Sequence, residues 1–294
     1  MALSANTLSI TRGHCRLVYD QLCAKESRHA LVLVHGLASN ASRWHEFMQH
    51  TQLVELFEIL AMDLRGHGRS VVFKPFTRQD WVEDIAAVLT AHQKPSIIVG
   101  HSMGAQIALD YASQYADRDE GSLKGLILID PIFPQALDGI LKKIARLRAL
   151  VRAACWLVRA GYSLGLHRRR YPQRDLQVLD QETRAFLAAN PDKHIADLYM
   201  NPLADLPYLP LASYLQDLYE VTRPLRPLAH ITAPVLVLLS EGASTSHADT
   251  NRKLLSALPK LEIKSIDADH WLLTEKPLEA REAIENWCQR QLVL

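Results

Sequence analysis

Residues 97–109, which read IIVGHSMGAQIAL, decide the fold of this 294-residue chain. An apolar run rich in β-branched residues ends at Gly100, a serine follows at Ser102, and helix-forming residues resume after Gly104. This order predicts a buried strand, a sharp turn and a helix. A Gly-x-Ser-x-Gly pattern in such a setting is typical of a nucleophile elbow, where small neighbours let a strained turn raise the serine hydroxyl above the sheet edge. We therefore predict that Ser102 is a catalytic nucleophile.

The composition excludes several classes of protein. The chain has 33 Lys and Arg against 32 Asp and Glu, a balance that gives no overall attraction to nucleic acid. No apolar run reaches the roughly 20 residues that span a bilayer, and the first residues do not resemble a secretory signal. The cysteines, Cys15, Cys23, Cys155 and Cys288, lack metal-binding spacing. We therefore predict a cytoplasmic globular protein with free thiols, no cofactor and no metal.

Buried apolar runs alternate with helical patterns along most of the chain, which predicts βαβ crossovers and a mostly parallel sheet. Two short strands are expected within residues 7–20, and further strands at 30–34, 57–62, 97–99, 123–129, 233–239 and 261–266. The alternation stops near residue 134 and resumes near 233, a gap too long for a plain loop. We predict an α/β core at residues 1–134 and 230–294, with a helical cap inserted at 135–229 after the sixth strand.

The predicted cap carries the one marked charge asymmetry of the chain. Residues 139–174 contain ten Lys or Arg and no Asp or Glu. Apolar side chains at helical spacing define one face of this stretch, and they are Ile140, Ile144, Leu147, Val151, Ala154 and Val158. The cations, Arg159 included, are expected to lie mostly away from that face. A solvated helix face, a patch that attracts an anionic substrate or head group, and a basic helix resting on a membrane surface all remain open.

A serine hydroxyl becomes nucleophilic when a neighbouring base takes its proton, so Ser102 needs a histidine. His270 comes directly after the last predicted strand, at the carboxyl edge of the sheet that also holds the elbow. We assign His35 and His101 roles other than general base, beside the turns in which they lie. We assign His67 a structural role in its Gly-His-Gly turn. We predict that His270 is the general base.

The oxyanion formed by serine attack needs two preorganised hydrogen-bond donors. We assign one to the backbone N–H of Met103, directly after the nucleophile. The second is assigned to the N–H of Leu37, in the loop after strand 30–34, where His35 and Gly36 allow a tight turn.

These motifs together resemble the α/β-hydrolase superfamily. They occur in the order HG at residues 35–36, DLRGHGRS at 63–70, GHSMG at 100–104, a cap, and DH at 269–270. The resemblance covers nearly the whole chain outside the cap, and it looks like the capped esterase, lipase and acyl-thioesterase branch. It implies an eight-stranded sheet with a lid, Ser102 as nucleophile and His270 as general base.

One departure from the family pattern concerns the acid that orients the histidine. Most members carry this acid after the strand represented here by residues 235–239, at the position of Ala243 in this chain. Some members place it after the preceding strand, where this chain has Asp130. We therefore predict Asp130 as the third member of the triad. Glu241, Asp249 and the absence of any triad acid remain as alternatives.

These expectations describe a serine hydrolase that cleaves carboxylic esters or acyl thioesters through an acyl-enzyme. The expected partner is a small acyl substrate that the basic stretch would favour as an anion, with peripheral membrane contact through the cap and no nucleic acid. Two alternatives are a carbon–carbon bond hydrolase that uses the same three groups and a non-catalytic binding protein that kept the fold.

Overall fold

A sheet of eight strands forms the centre of the computed structural model, which describes residues 5–24, 26–115, 122–242 and 246–293. The strands are β1 (Asn6–Arg12), β2 (Cys15–Leu22), β3 (His29–Val34), β4 (Phe57–Met62), β5 (Ser96–His101), β6 (Leu123–Ile129), β7 (Val235–Ser240) and β8 (Leu261–Ile266). Their spatial order is β1-β2-β4-β3-β5-β6-β7-β8. The pairs β1–β2 and β2–β4 are antiparallel, and strands β3 to β8 are parallel. The predicted mostly parallel, eight-stranded sheet is confirmed.

Helices cover both faces of the sheet and fill the insertion between β6 and β7. They are α1 (His45–His50), α2 (Arg78–His92), α3 (Met103–Tyr115), α4 (Gly139–Arg146), α5 (Arg148–Ser163), α6 (Leu176–Ala189), α7 (Ile195–Tyr199), α8 (Pro202–Asp205), α9 (Leu211–Val221), α10 (Ala248–Leu255), α11 (Leu272–Glu275) and α12 (Pro277–Val293). Short 3-10 turns occur at Ala41–Trp44, Leu53–Glu55 and Leu228–His230. Helices α4 to α9 form the cap predicted after the sixth strand, and its boundaries at 135 and 229 stay a prediction.

Strand β3 shows how the sequence builds the core on both faces of the sheet. Successive side chains of a strand point to opposite faces, so a strand covered by helices on both sides must be apolar throughout. Val32 packs in the layer that contains Trp81 of α2, whereas Leu33 packs in the layer that contains Trp287 of α12. The carboxyl ends of the parallel strands therefore meet at one edge, and their loops build the site described below.

The basic stretch of the cap folds as two helices, α4 and α5, that meet at Leu147. The apolar face predicted across this stretch is exposed at two positions and partly buried at the other four, which are Ile144, Val151, Ala154 and Val158. Ile140 and Leu147 are more than half exposed. Arg159 is buried instead, with its guanidinium donating to the carbonyl oxygens of Phe73 and Lys74. Those carbonyls need donors, and a long Arg side chain supplies them from inside the cap.

Three further observations concern membranes, cysteines and metals. Across the residues that the structure describes, no helix is both long and apolar enough to cross a bilayer. The four cysteines are free, with Cys15, Cys155 and Cys288 buried. Within the same ranges, no cluster of His, Cys, Asp and Glu has the makings of a metal site.

Candidate active site

Ser102 lies in the turn between β5 and α3 with a left-handed backbone, at a φ of 56°. A positive φ is strained for a residue with a side chain, so neighbouring contacts must hold it. The Ser102 amide donates to the carbonyl of Ile129 at 2.9 Å. A Cβ on Gly100 would come within 2.4 Å of the Gly104 carbonyl oxygen, and one on Gly104 within 2.3 Å of the Val34 carbonyl oxygen. The close packing of this turn therefore requires both glycines.

Three buried side chains from distant parts of the chain meet at the carboxyl edge of the sheet. His270 lies between β8 and α11, and its Nε2 is 2.9 Å from the Oγ of Ser102. Its Nδ1 is 2.5 Å from the Oδ2 of Asp130. The carboxylate accepts from Nδ1–H, which leaves Nε2 free to accept the serine proton. This is the tautomer that a general base needs.

The second carboxylate oxygen of Asp130 is held by β7. Asp130 directly follows β6 and has a φ of 41°, and its amide donates to the Leu238 carbonyl at 2.8 Å. Its Oδ1 accepts from the amide of Ser240 at 3.1 Å and from the Ser240 hydroxyl at 2.9 Å. Ser240 therefore orients the carboxylate so that Oδ2 is directed at His270.

The structure places the alternative acids differently. Glu241 and Asp249 are both exposed, whereas the buried Nδ1 of His270 contacts Asp130. Ala243, which occupies the usual position of the acid, lies outside the described residues. The acid brought to the histidine is therefore the one that follows β6.

Two more histidines brace the loops of the site. The Nε2–H of His101 donates to the carbonyl of His270 at 3.1 Å. Burial, together with the neighbouring His270, lowers the pKa of His101 to about 3. The Nε2 of His35 accepts from the amide of Leu64 at 3.0 Å, and burial lowers its pKa well below the usual value. Both rings are thus neutral at ordinary pH and act as hydrogen-bonding supports.

The two predicted oxyanion donors flank Ser102. Met103 is the first residue of α3, where backbone N–H groups have no partner within the helix and the helix dipole favours negative charge. Leu37 lines the same cavity as Ser102. Its neighbour Gly36 is so close that an added Cβ would lie 3.2 Å from the Cβ of Ser102. Both residues are near Ser102, and the role of their amides as oxyanion donors stays a prediction.

A cavity of about 590 Å³ opens over Ser102 and His270. This volume is in the range of small-molecule sites. Its apolar wall comes from both the core and the cap: Leu37, Ile132, Ile140, Leu141, Ile144, Met200, Pro202, Leu218 and Trp271. The cap therefore closes an apolar chamber over a polar floor.

A buried polar network, which the sequence did not reveal, joins the cap to the loop of His270. Arg43 pairs with Asp180 of α6 and donates to the Thr274 hydroxyl at 2.9 Å. Asp180 also accepts from Tyr199 at 2.6 Å and from Thr274 at 3.0 Å. The Tyr199 ring packs on Trp271, the residue after His270. Arg43 and Asp180 are 137 residues apart, so no local pattern could have indicated their contact.

Residues 63–70 brace the site through charge pairs. Arg65 pairs with Asp84 of α2 at 2.6 Å. His67 lies 2.8 Å from Asp217 of α9, and both are buried. Burial alone would lower the pKa of His67, but the Asp217 carboxylate more than compensates, and the pKa is raised. This stretch thus links the core to the cap, in keeping with the structural role assigned to His67.

Comparison with known proteins identifies the family. The sequence matches the Alpha/beta hydrolase family over residues 31–283, and the chain therefore belongs to that family, as its motifs predicted. A thermophilic esterase from Thermogutta terrifontis has the same fold, with a TM-score of 0.69 and 20% identity over 98% of this chain and 99% of that one.

Two curated relatives are similar in sequence. The monoacylglycerol lipase of Mycolicibacterium smegmatis is 33% identical over 136 residues, 44% of this chain and 46% of that protein. The chain thus spans less than half the length of that lipase. The 2-(acetamidomethylene)succinate hydrolase of Mesorhizobium japonicum is 28% identical over 277 residues, 90% of this chain and 89% of that protein.

Proposed function

We propose that this protein is a serine hydrolase that cleaves carboxylic esters or acyl thioesters through an acyl-enzyme on Ser102. The observation that carries the proposal is the hydrogen-bonded series from Ser102 through His270 to Asp130, with distances of 2.9 Å and 2.5 Å. A nucleophile, a base and an orienting acid in contact are what acyl transfer to serine requires. The names of the lipase and hydrolase relatives support the same class of reaction.

Acylation begins when the Oγ of Ser102 attacks the substrate carbonyl carbon while Nε2 of His270 takes the hydroxyl proton. The carbonyl oxygen becomes an oxyanion, which the N–H groups of Met103 and Leu37 stabilise. The tetrahedral intermediate then breaks the bond to the leaving group, and His270 returns the proton to the departing oxygen or sulfur. Asp130 keeps the imidazole oriented and stabilises its positive charge.

Deacylation repeats these steps with water as the nucleophile. His270 removes a proton from water, the resulting hydroxyl attacks the acyl carbon, and the bond to the Oγ of Ser102 breaks. The proton returns to Ser102, and the carboxylic acid leaves. The neutral ring of His101 places no second cation beside His270, so it does not oppose the charging of the imidazole.

The apolar chamber favours an acyl group that is itself apolar. Arg43 lines this chamber but is paired with Asp180, so it adds little net positive charge. The exposed cations Arg168, Arg169 and Arg170 lie on the cap surface. A preference for anionic substrates would therefore come from these surface cations, which lie outside the chamber.

Labelling with a fluorophosphonate probe tests the nucleophile. We expect wild-type protein to be labelled and Ser102→Ala to remain unlabelled. Ser39→Ala is a matched control, because Ser39 lines the same cavity, and its labelling should equal that of wild type. Failure of folded wild type to react would overturn the mechanism and favour a non-catalytic binding protein. Label that persists in Ser102→Ala would overturn the assignment of Ser102 as the nucleophile.

A panel of p-nitrophenyl esters and acyl thioesters of graded chain length tests the substrate class. Leu218→Trp fills the cavity from α9 and should shift the preferred acyl chain to shorter lengths. Leu211→Trp is the control, because Leu211 lies on the same helix but is exposed. Cleavage of diketone-like substrates with no turnover of any ester or thioester would instead support the carbon–carbon bond hydrolase.

A further inference from the structure

Helix α5 of the cap presents apolar side chains to solvent. Leu150 and Leu157, two helical turns apart, are 66% and 62% exposed. Leu164, a further two turns along at the end of the helix, is 78% exposed, and Trp156 beside this row is 68% exposed. Soluble proteins rarely expose contiguous apolar side chains in this way, and such patches mark interaction surfaces.

The opposite side of α5 packs against the protein, where Val151 is partly buried and Cys155 and Arg159 are buried. The Sγ of Cys155 is 3.4 Å from the carbonyl oxygen of Ala212 on α9. Arg159 is buried, where its guanidinium donates to the carbonyls before α2 and lies over the ring of Phe76. The inner face of α5 is thus already packed against the protein, and the exposed leucines on its outer face take no part in that packing.

The charges around this surface indicate what covers it. Exposed cations flank the apolar row: Lys142, Lys143, Arg146, Arg148 and Arg152. In a symmetric dimer the same patch on two subunits would meet itself, which would bring these like charges together. An anionic lipid surface complements both features, since it accepts the apolar side chains and attracts the cations.

We propose that the outer surface of α4 and α5 docks the protein on an anionic membrane. We call it the docking face: Leu147, Leu150, Trp156, Leu157 and Leu164 with the five flanking cations. A Trp at its edge fits this role, because an amphipathic ring is stable at the lipid headgroup level. Helix α5 would lie in the plane of the membrane, with its leucines among the acyl chains.

The docking face adjoins the entrance of the catalytic cavity. Ile140 of α4 is half exposed and also lines the cavity that contains Ser102. Met200 does the same from the turn between α7 and α8. A bilayer against α4 would therefore meet the cavity entrance through apolar side chains. This step rests on the proposed function, and it predicts that membrane lipids bearing acyl esters are the substrate class.

Co-sedimentation with vesicles tests the docking face without reference to catalysis. We expect wild-type protein to sediment with vesicles of equimolar phosphatidylcholine and phosphatidylglycerol, less with phosphatidylcholine alone, and less as salt is raised. Leu150→Gln with Leu157→Gln should weaken partitioning about a hundredfold, because each leucine that is fully buried in the membrane contributes a factor of about ten. The matched control is Leu56→Gln with Leu278→Gln, which replaces two exposed leucines outside the cap. This control should sediment like wild type.

Two outcomes would overturn the proposal. Wild-type protein that stays in solution with anionic vesicles at low salt has no membrane affinity. Wild-type protein that is a dimer, and that the Leu150→Gln and Leu157→Gln pair converts to a monomer, uses the face for self-association. Ser102→Ala should sediment like wild type, so failure of catalysis and failure of docking are distinguishable. Turnover of a short soluble ester should be unchanged in the paired Gln variants, which verifies that they are folded.

Discussion

Ser102 and Asp130 occupy equivalent positions on neighbouring strands. His101 and Ile129 form the last residue pair between β5 and β6. Ser102 directly follows His101, and Asp130 directly follows Ile129. Each also has a positive φ, 56° for Ser102 and 41° for Asp130. Two adjacent strands thus end in the same strained conformation, which directs a hydroxyl and a carboxylate towards one histidine. The carboxylate that contacts His270 therefore lies at the end of β6, beside the turn that holds Ser102.

Asp130→Asn should lower kcat at least about a hundredfold, because the corresponding change in a serine protease costs about ten-thousandfold. The reason is loss of the carboxylate that selects the His270 tautomer and stabilises its charge. Steady-state kinetics on an activated ester measure the effect. Glu241→Gln and Asp249→Asn are the controls and should retain near wild-type kcat. A large loss in either control with Asp130→Asn active would assign the acid to that residue instead.

Gly100→Ala should destabilise the fold severely, because its Cβ would lie 2.4 Å from the Gly104 carbonyl oxygen. Relief of that clash would require the backbone of α3 to shift. Gly161→Ala is the matched control. A Cβ there meets only Leu166, at 3.9 Å, and Ala is favoured over Gly in a helix by about 1 kcal/mol. Urea unfolding of both variants checks the contrast. Equal stability of the two would show that the elbow tolerates a side chain.

The buried pair of His67 and Asp217 should make stability depend on pH. Because the folded pKa of His67 is raised, the folded state holds this proton more tightly than the unfolded chain, whose histidines titrate near about 6.5. The contribution is fully present below about pH 6.5 and is lost as pH rises through the raised pKa. Asp217→Asn should therefore destabilise most at mildly acidic pH, with a deficit that shrinks as pH rises.

Urea unfolding across this pH range provides the measurement for Asp217→Asn. The control is Asp138→Asn, since Asp138 faces His247 in a pair whose side chains are both more than half exposed, and exposed pairs contribute little. A deficit that is constant with pH in Asp217→Asn would contradict a charged His67.

The network of Arg43 and Asp180 should contribute strongly to stability because both groups are buried. Asp180→Ala leaves a buried guanidinium without its carboxylate, a change that typically costs about 3–5 kcal/mol. The double variant Arg43→Met with Asp180→Ala should recover part of this loss. Glu262→Ala, which breaks the exposed pair with Arg290, should cost less than about 1 kcal/mol. Chemical unfolding of all three variants tests the ranking, and equal losses would contradict it.

Local patterns were sufficient for the sheet, for the strand, turn and helix around Ser102, and for the position of His270 after β8. Apolar runs that alternate with helical spacing determine βαβ order, and parallel strands bring their carboxyl ends to one edge. The sequence could therefore predict that Ser102 and His270 lie near one another. These features depend on neighbours along the chain, which is why the sequence alone determined them.

Only the tertiary structure shows that Asp130 contacts Nδ1 of His270 while Glu241 and Asp249 are exposed, because such a contact depends on the positions of side chains in space. The same holds for the contact of Arg43 with Asp180, which joins distant segments. It also holds for α5. Helical spacing reveals that a helix has two faces, but packing against α9 decides which face is buried. In α5 the buried face includes Cys155 and Arg159, whereas Leu150, Trp156 and Leu157 are left exposed.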